Sequence, residues 1–146
     1  MRFSNRSRYA LRASLALAKL GRDGSPISIT YLSEQEEISS VFLEQIFFKL
    51  RKAGILSSVR GSGGGFYFSK PLEEITLKEI LDATGEELDT IACNKQTKKC
   101  DRLSGCISHK VLSDATDILN NFLKNITLAS ILENYSFEEI NAALNN

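Results

Sequence analysis

Four glycines fall within the five residues Gly61-Ser62-Gly63-Gly64-Gly65, between two short stretches of strand-forming residues, Ile55-Leu56-Ser57-Ser58-Val59 and Phe66-Tyr67-Phe68. That arrangement predicts a β-hairpin with a glycine-rich tip. What precedes it is helical in period. Leu43, Ile46, Phe47 and Leu50 recur at helical spacing from Ser40 to Ala53, and Gly54 stops the run. A shorter helix is expected from about Thr30 to Glu36, with a tight break at Glu37-Ile38-Ser39. Two helices joined by so few residues and followed at once by a hairpin describe a winged helix-turn-helix, with the hairpin as the wing.

The remaining segments fit around that unit. Ser4 can cap a helix from about Asn5 to Leu20, with Tyr9, Ala13, Ala16, Leu17 and Leu20 on one face and Gly21 as its stop. Asp23-Gly24-Ser25-Pro26 reads as a loop, and Thr76-Leu77-Lys78-Glu79 as a capping box opening a short helix that Gly85 ends. After an acidic linker and a cysteine-bearing segment, Val111, Leu112, Ala115, Ile118, Leu119, Phe122 and Leu123 form an apolar stripe from His109 to Lys124. Such a stripe suits packing against a twin in a dimer, or against the chain's own domain. A second capping box, Ser136-Phe137-Glu138-Glu139, is expected to start a terminal helix. The expected class is mainly α with a small β-hairpin wing (α+β): a winged helix-turn-helix at 1–85, a cysteine-rich metal-binding loop at 86–109, and a dimerisation helix with a C-terminal segment at 110–146.

At 146 residues the chain suits one compact unit with an attached dimerisation element. Its formal net charge of zero hides an asymmetry: residues 1–70 carry +6 and residues 71–146 carry −6. A basic front half is the electrostatic footprint of a surface that meets a polyanion. No stretch approaches the roughly 20 apolar residues of a membrane span, and Arg12 and Lys19 interrupt what would be the apolar region of a targeting peptide. A soluble protein without membrane partners is expected. The three cysteines are odd in number and confined to Cys93–Cys106, which points to a reducing cytoplasm and a metal site in preference to a disulfide framework.

In a helix-turn-helix the second helix enters the major groove with its N-terminal residues against base edges. Ser39, Ser40, Val41, Glu44 and Gln45 are therefore the candidates for base contacts; Gln pairs bidentately with adenine and Glu accepts from the cytosine amino group. Arg51 and Lys52 stand farther along, where phosphates lie. Arg60, beside the glycine-rich tip, is placed to enter a minor groove. A phosphate-binding loop is the rival reading of the glycines, but they lack the Gly-Lys-Ser/Thr ending of a P-loop and the spacing of a dinucleotide fingerprint. No nucleophile elbow is present, and the single histidine is better used as a ligand than as a catalytic base, so an enzyme is not expected.

That histidine closes the pattern Cys93-x6-Cys100-x5-Cys106-x2-His109. Three thiolates and one imidazole suit an iron-sulfur cluster or zinc, since imidazole can replace thiolate on one iron. Lys95, Lys98 and Lys99 lie among the cysteines and favour the thiolate forms. Structural zinc sites usually show tightly paired ligands, and here only Cys106 and His109 are that close. Three readings stay open on the residues alone: a cluster, a zinc scaffold in a constitutive DNA-binding regulator, and a metal-free thiol redox sensor.

Taken together, Arg8-Tyr9-Ala10, the block Phe42-Leu43-Glu44-Gln45-Ile46-Phe47, Leu50-Arg51-Lys52-Ala53-Gly54, the wing Ser57 to Phe66, the Cys/His segment and Phe122 to Leu128 closely resemble the Rrf-two-type winged-helix family of bacterial transcription regulators, and its iron-sulfur cluster regulators in particular. The resemblance implies a homodimer that binds a roughly palindromic double-stranded DNA operator. It further implies one [2Fe-2S] cluster per subunit on Cys93, Cys100, Cys106 and His109, with cluster occupancy tuning genes of cluster assembly; contact with RNA polymerase is left open. Glu44, Gln45, Arg51 and Arg60 fall on family positions that touch or tune DNA. A nitric-oxide-responsive relative is similar too, but takes an acidic fourth ligand from the first helix, where this chain has no carboxylate. Two positions depart from the family pattern: the first cysteine gap is six residues instead of five, and Val41 stands where a polar residue is expected.

Overall fold

The computed structural model describes residues 3–88 and 105–134. Helix α1 (Asn5–Leu20) starts where the Ser4 hydroxyl accepts the Ser7 N–H and ends at Gly21, whose N–H bonds Leu17 O at 2.9 Å. Ala10, Ala13, Ala16, Leu17 and Ala18 are buried along it. Leu20, expected on that face, is instead exposed. The helix packs on several neighbours at once, so its buried surface spans more than one stripe, and small residues let those neighbours approach closely.

Helix α2 (Ile29–Glu36) begins one residue before the expected start, because the Ser28 hydroxyl takes the Tyr31 N–H. Glu37 follows in the left-handed conformation, at φ 52°, and Ile38 turns inward to be buried. Arg12 of α1 braces the turn with an ion pair to Glu36 at 2.6 Å. Helix α3 (Ser40–Lys52) then buries Leu43, Ile46, Phe47 and Leu50 completely, as the spacing predicts; Ala53 is its C-cap. Burial of four such side chains is worth about 1.5–3 kcal/mol each, which fixes the face α3 turns away from solvent.

Strands β1 (Leu56–Val59) and β2 (Gly65–Phe68) pair antiparallel, Leu56 opposite Phe68 and Val59 opposite Gly65. The hairpin is anchored twice. Phe66 packs edge-on against Phe47 of α3, ring centroids 5.1 Å apart, and exchanges both backbone hydrogen bonds with Ile27 at 2.9 Å. The contact with Ile27 demands glycine at 65: a Cβ there would stand 2.3 Å from the Ile27 carbonyl.

A 3-10 turn at Leu72–Glu74 leads to helix α4 (Leu77–Thr84), opened by the expected capping box between Thr76 and Glu79 and closed by Gly85 at φ 82°. Helix α5 (Ile107–Asn125) starts two residues before the expected His109, and a short helix α6 (Leu128–Asn134), not anticipated from the sequence, follows. Between them the chain returns to the N-terminal unit: Leu77 N–H bonds Ile126 O at 2.8 Å, Leu128 N–H bonds Ile75 O at 2.9 Å, and Leu128 joins the main core fully buried. On α5, Leu123 and Leu119 pack with Leu77, Leu81, Leu88 and Phe3, whereas Val111, Leu112, Ile118 and Phe122 of the stripe are exposed. The second capping box, at Ser136, lies outside the described residues. Among the described residues no helix is long and apolar enough to cross a membrane.

Candidate nucleic-acid interface and metal-ligand pair

With one face of α3 committed to the core, the opposite face is set by helical geometry. It presents Val41, Glu44, Gln45, Phe48, Arg51 and Lys52, all exposed. Ser39, also exposed, occupies the N-cap without using its side chain as a cap, and Ser40 is half-buried. The expected base-reading residues and the two expected phosphate cations thus share one ridge. Phe48 was missed in the sequence, although it stands seven residues from Val41 and one turn from Glu44 and Gln45, which is the signal that would have found it. Its ring lies 5.8 Å from the Arg51 guanidinium, a cation-π distance.

Arg51 reaches across to the hairpin, donating from Nη1 to the Ser58 hydroxyl at 3.1 Å. Arg60 is exposed at the end of β1, where the tip begins. Gly61 and Gly63 take φ of 101° and 78°, and a Cβ on Gly64 would stand 2.4 Å from the Val59 carbonyl. The glycine run therefore serves a tight tip that holds Arg60 in solvent, at the edge of the same molecule that carries the α3 ridge.

Just beyond α4, Glu86 receives hydrogen bonds from the Ser4 backbone and hydroxyl and from the Ser7 hydroxyl, while Ser7 also bonds Thr84 at 2.9 Å in the core. Hydrogen bonds from Ser7 and then Ser4 hold the Glu86 carboxyl below its ordinary value. The chain leaving the helix-turn-helix unit toward the cysteines is thereby tied to the N-terminus of α1.

Cys106 and His109 are one helical turn apart at the start of α5. Cys106 is the N-cap, and its Sγ accepts the His109 N–H at 3.4 Å. Both are half-buried. Among the described residues no three potential ligands converge; Cys93 and Cys100 lie outside them. The structure brings together the closest pair of the expected four.

A helix-turn-helix whose second helix offers a polar, partly basic ridge beside an exposed hairpin defines a winged-helix DNA-binding protein. The chain belongs to the Rrf2 family, described as iron-dependent transcriptional regulators, whose model matches residues 3–134. It is similar to the HTH-type transcriptional regulator IscR of Yersinia pseudotuberculosis, 35% identical over 146 residues covering 100% of this chain and 88% of that protein. IscR of Escherichia coli O1:K1 / APEC is 37% identical over 134 residues, covering 92% of this chain and 82% of the relative. Among solved structures, T. potens IscR matches with a TM-score of 0.72 at 26% identity, covering 92% of this chain and 88% of that one. The oxidized form of Staphylococcus aureus CymR matches with a TM-score of 0.70 at 28% identity, covering 91% and 97%. The protein is a helix-turn-helix transcription regulator, in line with the expected fold and with the expectation of a regulator in place of an enzyme.

Proposed function

We propose that this regulator is a cytoplasmic homodimer that binds a two-fold-related DNA operator and senses iron-sulfur status through Cys93, Cys100, Cys106 and His109. The observation that carries the reading is the Cys106–His109 pair: a thiolate and an imidazole on one turn, with the sulfur already accepting a backbone N–H at 3.4 Å. Backbone donors to ligating sulfurs are a regular feature of cluster sites and tune them. The donor set fits a [2Fe-2S] centre with one imidazole ligand, and α1 offers no carboxylate to compete as the fourth ligand. Such a centre supplies a redox-sensitive, chemically labile group at the start of α5.

The chain's own residues give that position leverage. Leu119 and Leu123 seat α5 on α4, and α4 packs in turn on α3. The exposed side of α5, with Ile107, Val111, Ile118 and Phe122 from 59% to 80% open, is the surface for a second copy. Ligation at Cys106 and His109 then fixes how two α3 helices are spaced, and operator preference follows occupancy. Ser39, Ser40, Glu44 and Gln45 meet bases, Arg51 a phosphate, and Arg60 a minor groove.

Protein purified without oxygen is the test. About two iron and two sulfide per chain, with thiolate-to-iron bands in the visible spectrum, is the expected result. Zinc alone would overturn it in favour of a zinc-stabilised constitutive regulator, and absence of both metals would favour a metal-free thiol sensor. A Cys93→Ala, Cys100→Ala, Cys106→Ala variant that bound every operator as the loaded protein does would remove the sensing step.

A further inference from the structure

We infer that Val41 reads the C5-methyl of a thymine, acting with Gln45, one turn along, on a neighbouring adenine. The inference rests on α3 entering the major groove and names what its first turns prefer there. Val41 is the second residue of α3 and is 63% exposed. Valine is a below-average helix former, and nothing is gained in the core by a side chain turned outward, so neither propensity nor packing accounts for it.

The ridge gives it a role. Val41 and Gln45 stand four residues apart on the exposed side of α3, about 6 Å along the helix axis at 1.5 Å per residue. Consecutive bases on a strand rise by about 3.4 Å, so the two side chains address adjacent or next-adjacent base pairs. The thymine methyl is the apolar group of the major-groove edge, and a valine is its natural contact; the Gln45 amide matches the N6 and N7 of adenine. Glu44 lies between them and accepts only, so it has nothing to offer the O6 and N7 acceptors of guanine. The nearest cation of the ridge, Arg51, lies two turns from Glu44 and is held by Phe48 and Ser58. A thymine-adenine step, with cytosine favoured over guanine on the strand that Glu44 faces, is the preference this surface builds.

The test begins with the full-length protein and a random duplex library, from which a preferred site is selected. Each thymine of that site is then replaced singly by uracil, which removes only the methyl. One thymine per half-site is expected at which uracil weakens wild-type binding about fourfold, the worth of one buried methyl group. Val41→Ser should bind thymine and uracil there alike, and Val41→Ile should restore the difference; unchanged helical circular dichroism excludes misfolding. Uracil without effect at every position, or a methyl effect that survives Val41→Ser, overturns the inference while leaving the protein a DNA binder. Failure to enrich any sequence would instead bring down sequence-specific reading by α3, and Val41 with it.

Discussion

The guanidinium of Arg51, in the last turn of α3, donates to the hydroxyl of Ser58 on β1 at 3.1 Å. Recognition helix and wing are thereby joined on their exposed side, as Phe47 and Phe66 join them inside. A long cation held on two sides, by Ser58 and by the Phe48 ring, loses less freedom when it meets a phosphate than a free one would.

Arg51→Ala should weaken binding to all duplexes alike and reduce the salt dependence of binding by about one counterion. Ser58→Ala keeps the charge and removes only the restraint, so it should lower affinity less and leave the salt slope in place. Anisotropy titrations across a salt series separate the two; equal slopes for wild type and Arg51→Ala would take Arg51 off the phosphate backbone.

Glu86 ties the start of the linker to α1, and its pKa is lowered from 4.5 by hydrogen bonds from Ser7 and Ser4. A carboxyl lowered in the folded state contributes stability that is present above its unfolded value and is lost as pH falls through its folded value. Glu79 behaves in the same direction: burial raises its carboxyl, but Lys70 and the Thr76 N–H together outweigh that. Glu86→Gln should therefore be less stable than wild type near neutral pH, and the gap should close as pH drops below about 4.5. Urea midpoints measured from pH 7 down to pH 3 check this, and a gap that stayed constant with pH would show that the loss is one of shape and not of charge.

At Gly65 a methyl group has nowhere to go, since both the carbonyl carbon and the oxygen of Ile27 would lie 2.3 Å from it. Gly65→Ala should cost about 1–3 kcal/mol by overpacking and should loosen the hairpin from Ile27. Chemical denaturation gives the size of the loss. Hydrogen exchange at the Phe66 amide, which bonds Ile27 O at 2.9 Å, shows whether the wing is where it falls.

Ile118 and Phe122 are 70% and 60% exposed, one turn apart on the open side of α5. Ile118→Asp should leave the circular dichroism of the subunit intact but shift sedimentation from dimer to monomer, and operator affinity should fall with it, because two half-sites are no longer engaged together. A variant that still sedimented as a dimer would move the interface elsewhere.

Much of this architecture was legible because it is local. Ser4 and Gly21 bound α1, Thr76 and Glu79 close a reciprocal cap, and Leu43, Ile46, Phe47 and Leu50 repeat at the helical period; in each case neighbours in sequence supply the hydrogen bond or the buried face. The ridge of α3 was legible for the same reason, being the complement of a readable core face. Cys106 and His109 were legible as a close pair from their spacing of three, but the expected helix began at His109, and only the structure made Cys106 its N-cap.

What the sequence alone determined is thus helices α1 to α5, the hairpin, the polar face of α3 and the close spacing of Cys106 and His109, all dictated by interactions within a few residues. Only the tertiary structure decided that Leu128 returns to the core beside Ile75, that Phe66 locks onto Ile27 and Phe47, that Arg51 reaches Ser58, and that the stripe of α5 divides, Leu119 and Leu123 facing α4 while Ile118 and Phe122 face outward. An apolar stripe records that a face is to be buried; which surface covers it depends on the shapes and closure of segments far apart in the chain, and no local period carries that information.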